Sequence, residues 1–118
     1  MKLNPDCIRE ILIAIEERSE YNKYVGFDEV IENVNFPENE VLYHIQQCEM
    51  NGFIIGVMRY LGGGGMIKDL SPKAHEFLAN IRSESNWNKI KKKASEVGTF
   101  SLNALAQIAI NYVSSKIG

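Results

Sequence analysis

No stretch of eighteen or more apolar residues occurs in this chain of 118 residues, so no segment reads as a transmembrane helix. The opening Met1-Lys2-Leu3-Asn4-Pro5 lacks the basic region, apolar run and cleavage site of a secretory leader, which predicts a soluble, cytoplasmic protein with no membrane partner. Cysteine and histidine are scarce. Cys7 and Cys48 each lie in or beside an apolar stripe and are expected to be buried free thiols, not a disulfide framework. A metal site would have to be assembled from Cys7, His44, Cys48 and His75. His44 and Cys48 are four apart on one helix, but the other two would arrive from separate helices, and there is no Cys-x-x-Cys or His-x-x-x-His pair. No metal and no other cofactor is expected. His75 and Glu76 adjoin on a helix and so point in different directions, poor geometry for a base and its orienting group, and no nucleophile elbow is present. The run Gly62–Gly65 lacks the Gly-Lys-Ser/Thr ending of a phosphate loop and leads into a strand. A non-enzymatic protein is the expectation, with no catalytic residue.

Positive charge is also scarce in the first half. Residues 1–51 carry four basic side chains (Lys2, Arg9, Arg18 and Lys23) against eleven acids, whereas residues 52–118 carry nine basic against four acidic. The second half can attract phosphate; the first half repels it. With 45% apolar residues the chain is long enough to bury one core, so residues 1–118 are read as a single domain.

The helix and turn signals that are present are strong. Asn4 and Pro5 open a first helix with Ile8, Ile11, Leu12 and Ile15 on one face, and the polar run from Arg18 to Lys23 ends it. Tyr24–Phe27 reads as extended, followed by a compact helix from Asp28, its cap, to Val34. Phe36-Pro37-Glu38 opens a third helix with Val41, Ile45 and Cys48 in a stripe, stopped by Asn51-Gly52 with Phe53 folding back. Phe53–Leu61 and Met66–Leu70 then read as two strands joined by the glycine run. Ser71-Pro72 opens a helix burying Ala74, Phe77, Leu78 and Ile81. Another follows the polar break from Ser83 to Asn86, with Trp87, Ile90, Ala94 and Val97 on one face. Gly98 stops it, and Ser101 caps a last helix.

Three helices followed by a hairpin predict a mainly α (α+β) winged helix-turn-helix: residues 1–71 form the helix-turn-helix and wing, and residues 72–118 a helical extension. The exposed face of the third helix shows Asn39, Tyr43, Gln46 and Gln47, amide and hydroxyl chemistry suited to base edges and also to plain solvation. Arg59 and Lys68 on the hairpin, and Lys89, Lys91, Lys92 and Lys93 on the fifth helix, are the phosphate candidates. Leu102, Leu105, Ile108, Ala109, Tyr112 and Val113 make the last helix apolar around much of its circumference, which fits a homodimer contact or packing across the domain. Two functions stay open: a regulator that binds double-stranded DNA, and a module that binds a phage or host protein.

Several segments carry a resemblance beyond this pattern: Met1–Arg9 with Glu16-Glu17, Leu70-Ser71, His75-Glu76-Phe77-Leu78, Ile81-Arg82, Trp87 and Lys89, and Ser101-Leu102 with Lys116-Ile117-Gly118. In these the chain resembles a family of small uncharacterised phage and prophage proteins, a domain of unknown function. Ala74 stands where such proteins tend to have glycine. The resemblance implies a winged-helix fold and a phage or prophage setting, and it brings no catalytic residues.

Overall fold

Helix α1 (Pro5–Arg18) begins where Asn4 leaves the helical region and its Oδ1 accepts the Asp6 and Cys7 amides at 3.0 and 3.4 Å. These are donors that the first turn cannot satisfy itself. Ile8, Ile11, Leu12 and Ile15 are all fully buried, each contributing about 1.5–3 kcal/mol relative to exposure. The computed structural model describes residues 1–98 and 101–117; Gly118, the end of the resemblance above, lies outside them. Within them the chain is mainly helical with two small antiparallel sheets, and α1 is the helix on which the other layers pack.

The strand β1 (Val25–Gly26) leads directly into α2 (Phe27–Glu32). Sequence reading places the cap of this helix at Asp28. The structure places it at Gly26, whose amide donates to Glu29 Oε1 at 3.3 Å, so the helix starts and ends earlier than expected and Val34 is buried beyond its end. The helix α3 (Glu38–Met50) follows, and the Pro37 carbonyl accepts its first bond from Val41. At its end Gly52 takes φ +74, Phe53 N–H reaches the Cys48 carbonyl at 2.8 Å and Gly52 N–H the Glu49 carbonyl at 3.1 Å. That double bond pattern is the helix stop which Asn51-Gly52-Phe53 predicts.

The expected pair of continuous strands is divided into four. β2 (Ile54–Ile55) pairs with β5 (Asp69–Leu70), and β3 (Met58–Arg59) pairs with β4 (Gly65–Ile67). One register runs through both pairs, Ile54 opposite Leu70 and Met58 opposite Met66, so this is a single hairpin interrupted at its middle. Gly56 causes the interruption: it has φ +64, outside the strand region. β1 adds to the far side of β4, with Val25 opposite Ile67, giving the order β1-β4-β3.

The C-terminal layer contains α4 (Pro72–Ile81), α5 (Glu84–Val97) and α6 (Leu102–Ile117). Ser71 and Ser83 cap α4 and α5 through their hydroxyls, and Gly98 at φ +84 closes α5. Ser83 therefore starts a helix inside the segment read as a polar break, and Val97, expected on the buried face, is 71% exposed in the last turn. Arg9 of α1 donates to the Ile81 and Arg82 carbonyls at 3.1 and 2.7 Å, satisfying acceptors at the end of α4. Arg82 in turn reaches the Glu16 carboxylate at 2.6 Å.

Asp6 joins α5 to α1. Its Oδ1 accepts from Trp87 Nε1 and from Lys91 Nζ, both at 2.8 Å. Partial burial raises the affinity of this carboxyl for a proton, but the Lys91 and Trp87 hydrogen bonds and the charges of Lys91 and Arg9 outweigh it, so its pKa lies below the ordinary carboxylate value. A lowered folded-state pKa means that the ionised contact stabilises the fold above the unfolded value of about 3.9, and that this contribution is lost as pH falls through the folded value. Asp6→Asn should therefore be less stable than the parent at neutral pH, with the gap closing below about pH 4 in urea titrations at a series of pH values. A gap independent of pH would show that the carboxylate charge is not what holds Trp87 and Lys91.

Candidate nucleic-acid interface

The outward face of α3 is built by the stripe behind it. Val41, His44, Ile45 and Cys48 are buried, which leaves Asn39 and Gln46 exposed, seven residues apart and on one side, with Tyr43 and Gln47 half-buried. The helix is held in place by a polar contact that sequence reading passed over. His44 is fully buried; its Nε2 accepts the Asn4 amide at 2.8 Å, and its Nδ1 lies 2.7 Å from the Glu40 carbonyl. A backbone amide needs an acceptor and a carbonyl needs a donor, so the imidazole is neutral with its proton on Nδ1. Asn4 Nδ2 also donates to Glu40 Oε1 at 3.3 Å. The residue that caps α1 thus also fixes α3.

The hairpin tip returns over this helix. Tyr60 N–H bonds the Gly64 carbonyl at 3.0 Å and Gly63 N–H the Tyr60 carbonyl at 3.1 Å, closing a turn from which Leu61 projects fully into solvent. Between the tip and α3 lies a cleft of about 300 Å³ lined by Phe27, Leu42, Gln46, Arg59, Tyr60, Gly63 and Gly64. Arg59 Nη2 is 2.8 Å from Glu49 Oε1, and its guanidinium sits 5.8 Å from the centre of the Phe27 ring. This pins the hairpin to α3 and to the start of α2. A guanidinium has five N–H donors, so the Glu49 contact leaves others for an anion in the cleft.

The structure brings Gln46 and Arg59 together and separates the other candidates from them. Lys68 is exposed on the return of the hairpin and is not part of the cleft lining. Lys89, Lys92 and Lys93 are exposed on α5, which packs on α4 and α6. Lys91, a phosphate candidate by sequence, bonds Asp6 and lies 5.5 Å from the Trp87 ring centre, holding α5 on α1. In α6, Leu102, Leu105 and Ala109 are buried within the one chain, where α4 and α5 cover them; Ile108, Tyr112 and Val113 are half-buried. Packing across the domain therefore accounts for the first three, and a partner cannot reach them without unfolding the helix layer. Phe27, Leu42 and Tyr60 line the cleft, and Glu49 holds its Arg59; all four were absent from the sequence candidates. The aromatic Tyr60 beside a glycine tip was the available signal.

Cys7 and Cys48 are free and fully buried. Burial first, then the charges of Glu40 and Glu10, push the Cys7 thiol up to about 12; burial and the nearby Cys7 raise Cys48 as well. Neither is a nucleophile at neutral pH. Among the described residues no helix is long and apolar enough to cross a membrane.

Comparison with known proteins gives a family and no function. No solved structure matches the chain. It is similar to an uncharacterized protein of Haemophilus influenzae, 29% identical over 126 residues that cover 99% of each chain. Residues 2–101 match a family model, and by that match the chain belongs to the family described as hypothetical protein (DUF2513).

Proposed function

We propose that this protein is a winged-helix regulator of a phage or prophage, non-enzymatic and cytoplasmic, that binds double-stranded DNA through α3 and the hairpin. The observation that carries the reading is the cleft in which Gln46 of α3 and Arg59 of the hairpin face the same space. The order of elements supports it: a strand between the first two helices pairs with the returning strand of a hairpin that follows the third. In this reading Asn39 and Gln46 meet base edges in the major groove, Tyr43 and Gln47 flank them, and Arg59 contacts a phosphate at the groove edge. The chain acts as a homodimer, so that two α3 helices reach half-sites about one helical turn apart.

A second reading rests on the same cleft. Phe27, Leu42 and Tyr60 are apolar, Arg59 is neutralised by Glu49, and Glu38 and Glu40 open α3, which together suit a protein ligand. A salt-titrated anisotropy assay with labelled mixed-sequence duplex separates the two. The DNA reading expects micromolar or tighter binding at about 50 mM salt that weakens steeply as salt rises. Arg59→Gln should weaken binding at every sequence and reduce the salt slope by about 1, whereas Gln46→Ala should relax preference by about 1–3 kcal/mol at one base position. No binding at low salt, or binding that neither substitution alters, would turn the assignment to the protein ligand.

A further inference from the structure

The acids of α3 differ in what holds them. The helix carries Glu38, Glu40 and Glu49 and no lysine or arginine. Glu38 and Glu40 stand in its first turn, where the positive helix end favours a carboxylate, and Glu40 also accepts from Asn4 Nδ2. Glu49 stands in the last turn, where the unpaired carbonyls disfavour one. What it meets there is Arg59 of the hairpin, whose Nη2 lies 2.8 Å from its Oε1. Among the described residues that line the α3 cleft, only Arg59 carries a positive charge. The pair is open to solvent, with side chains 48% and 35% exposed for Arg59 and Glu49, so an arriving anion can reach it and exchange with the carboxylate.

We infer that Glu49 is an internal stand-in for phosphate: it occupies Arg59 in the free protein and weakens duplex binding until a DNA phosphate takes its place. This rests on the DNA reading of the cleft. The guanidinium keeps its place beside the Phe27 ring, 5.8 Å from the ring centre, so an incoming phosphate meets an arginine already at the cleft and with N–H donors to spare. The carboxylate next to it offsets that positive charge and repels the approaching anion. With its one cleft cation held back in this way, the protein draws little affinity from phosphate alone, and its residence on DNA depends on the base contacts of Asn39 and Gln46. Restraining the sequence-independent term raises the ratio of specific to non-specific affinity. Glu49 touches no base itself; it acts through Arg59, as a positioning and restraining residue.

Glu49→Gln removes the charge and keeps an oxygen that can accept from Arg59, so the hairpin stays docked on α3. In the anisotropy assay with mixed-sequence duplex at about 50 mM salt, this variant should bind about three- to tenfold tighter than the parent. The gain must pass through Arg59: in an Arg59→Gln background the same substitution should change the affinity by less than about twofold. An affinity equal to or below the parent's would mean that the carboxylate only positions Arg59. A gain that survives without Arg59 would mean a general relief of negative charge. Either result overturns the inference and leaves the DNA reading standing. Absence of binding by both proteins overturns the inference together with that reading, whereas binding by Glu49→Gln alone supports the two.

Discussion

Trp87→Ala is expected to cost about 3–5 kcal/mol of stability, read by urea denaturation followed by circular dichroism because the substitution removes the only tryptophan fluorophore. Three losses add. The indole is 2% exposed, so truncation leaves a cavity between α5 and its neighbours. Its Nε1 hydrogen bond to Asp6 at 2.8 Å disappears, and Lys91 loses the ring above which its ammonium sits. Since α6 packs on α5, the whole C-terminal layer should loosen, exposing Leu105 and Ala109. Trp87→Phe retains most of the apolar volume and should cost markedly less. A loss below about 1 kcal/mol for the alanine variant would mean that α5 does not dock on α1 through this residue.

Gly65→Ala is expected to destabilise by about 1–3 kcal/mol, a large effect for one methyl group. A Cβ at this position would collide with the Met58 carbonyl oxygen and lie 2.9 Å from two Phe27 ring carbons. The carbonyl belongs to β3, paired directly with β4, and Phe27 is 6% exposed at the start of α2, so neither can step back without opening the hairpin. Gly62→Ala is the internal control: nothing lies within 4 Å of its would-be Cβ and its φ is not positive, so a change within about 0.5 kcal/mol is expected. Hydrogen exchange at Met58 and Met66 would read the opening of the ladder directly. Equal stability of the two variants would show that the close approach at Gly65 is not structural. Under the proposed function, Gly65→Ala should also weaken duplex binding without touching the ligand, because it displaces Arg59 from the cleft.

The boundaries of α1, α3 and α4 were legible in the sequence because their signals act within four residues. Asn4-Pro5, Asn51-Gly52-Phe53 and Ser71-Pro72 each satisfy or terminate backbone bonds locally, and the structure uses all three. The cap of α2 was misplaced because Asp28 and Gly26 both suit such a position, and the choice is made by β1, which holds Gly26 opposite Met66 some forty residues away. The division of the hairpin at Gly56 was equally out of reach: a run of β-forming residues does not show where the chain will take a positive φ. Family membership adds to the sequence reading, and the winged-helix and DNA-binding assignments stay proposals beside it.

By itself the sequence determined where α1 and α4 start and where α3 stops, most of the apolar stripe of each helix, and that positive charge gathers in the second half. Tertiary structure alone decided which of those charges meet what. Arg59 reaches the α3 cleft because the hairpin folds back on Glu49, whereas Lys91 is withdrawn to Asp6, 85 positions away in the chain. It also decided which half of α6 is core and which is surface, since α4 and α5 cover only Leu102–Ala109. The physical reason is range. Capping and helical periodicity are set by neighbours along the chain, but the partner of a long charged side chain, and the side of a helix left uncovered, depend on where distant elements come to rest.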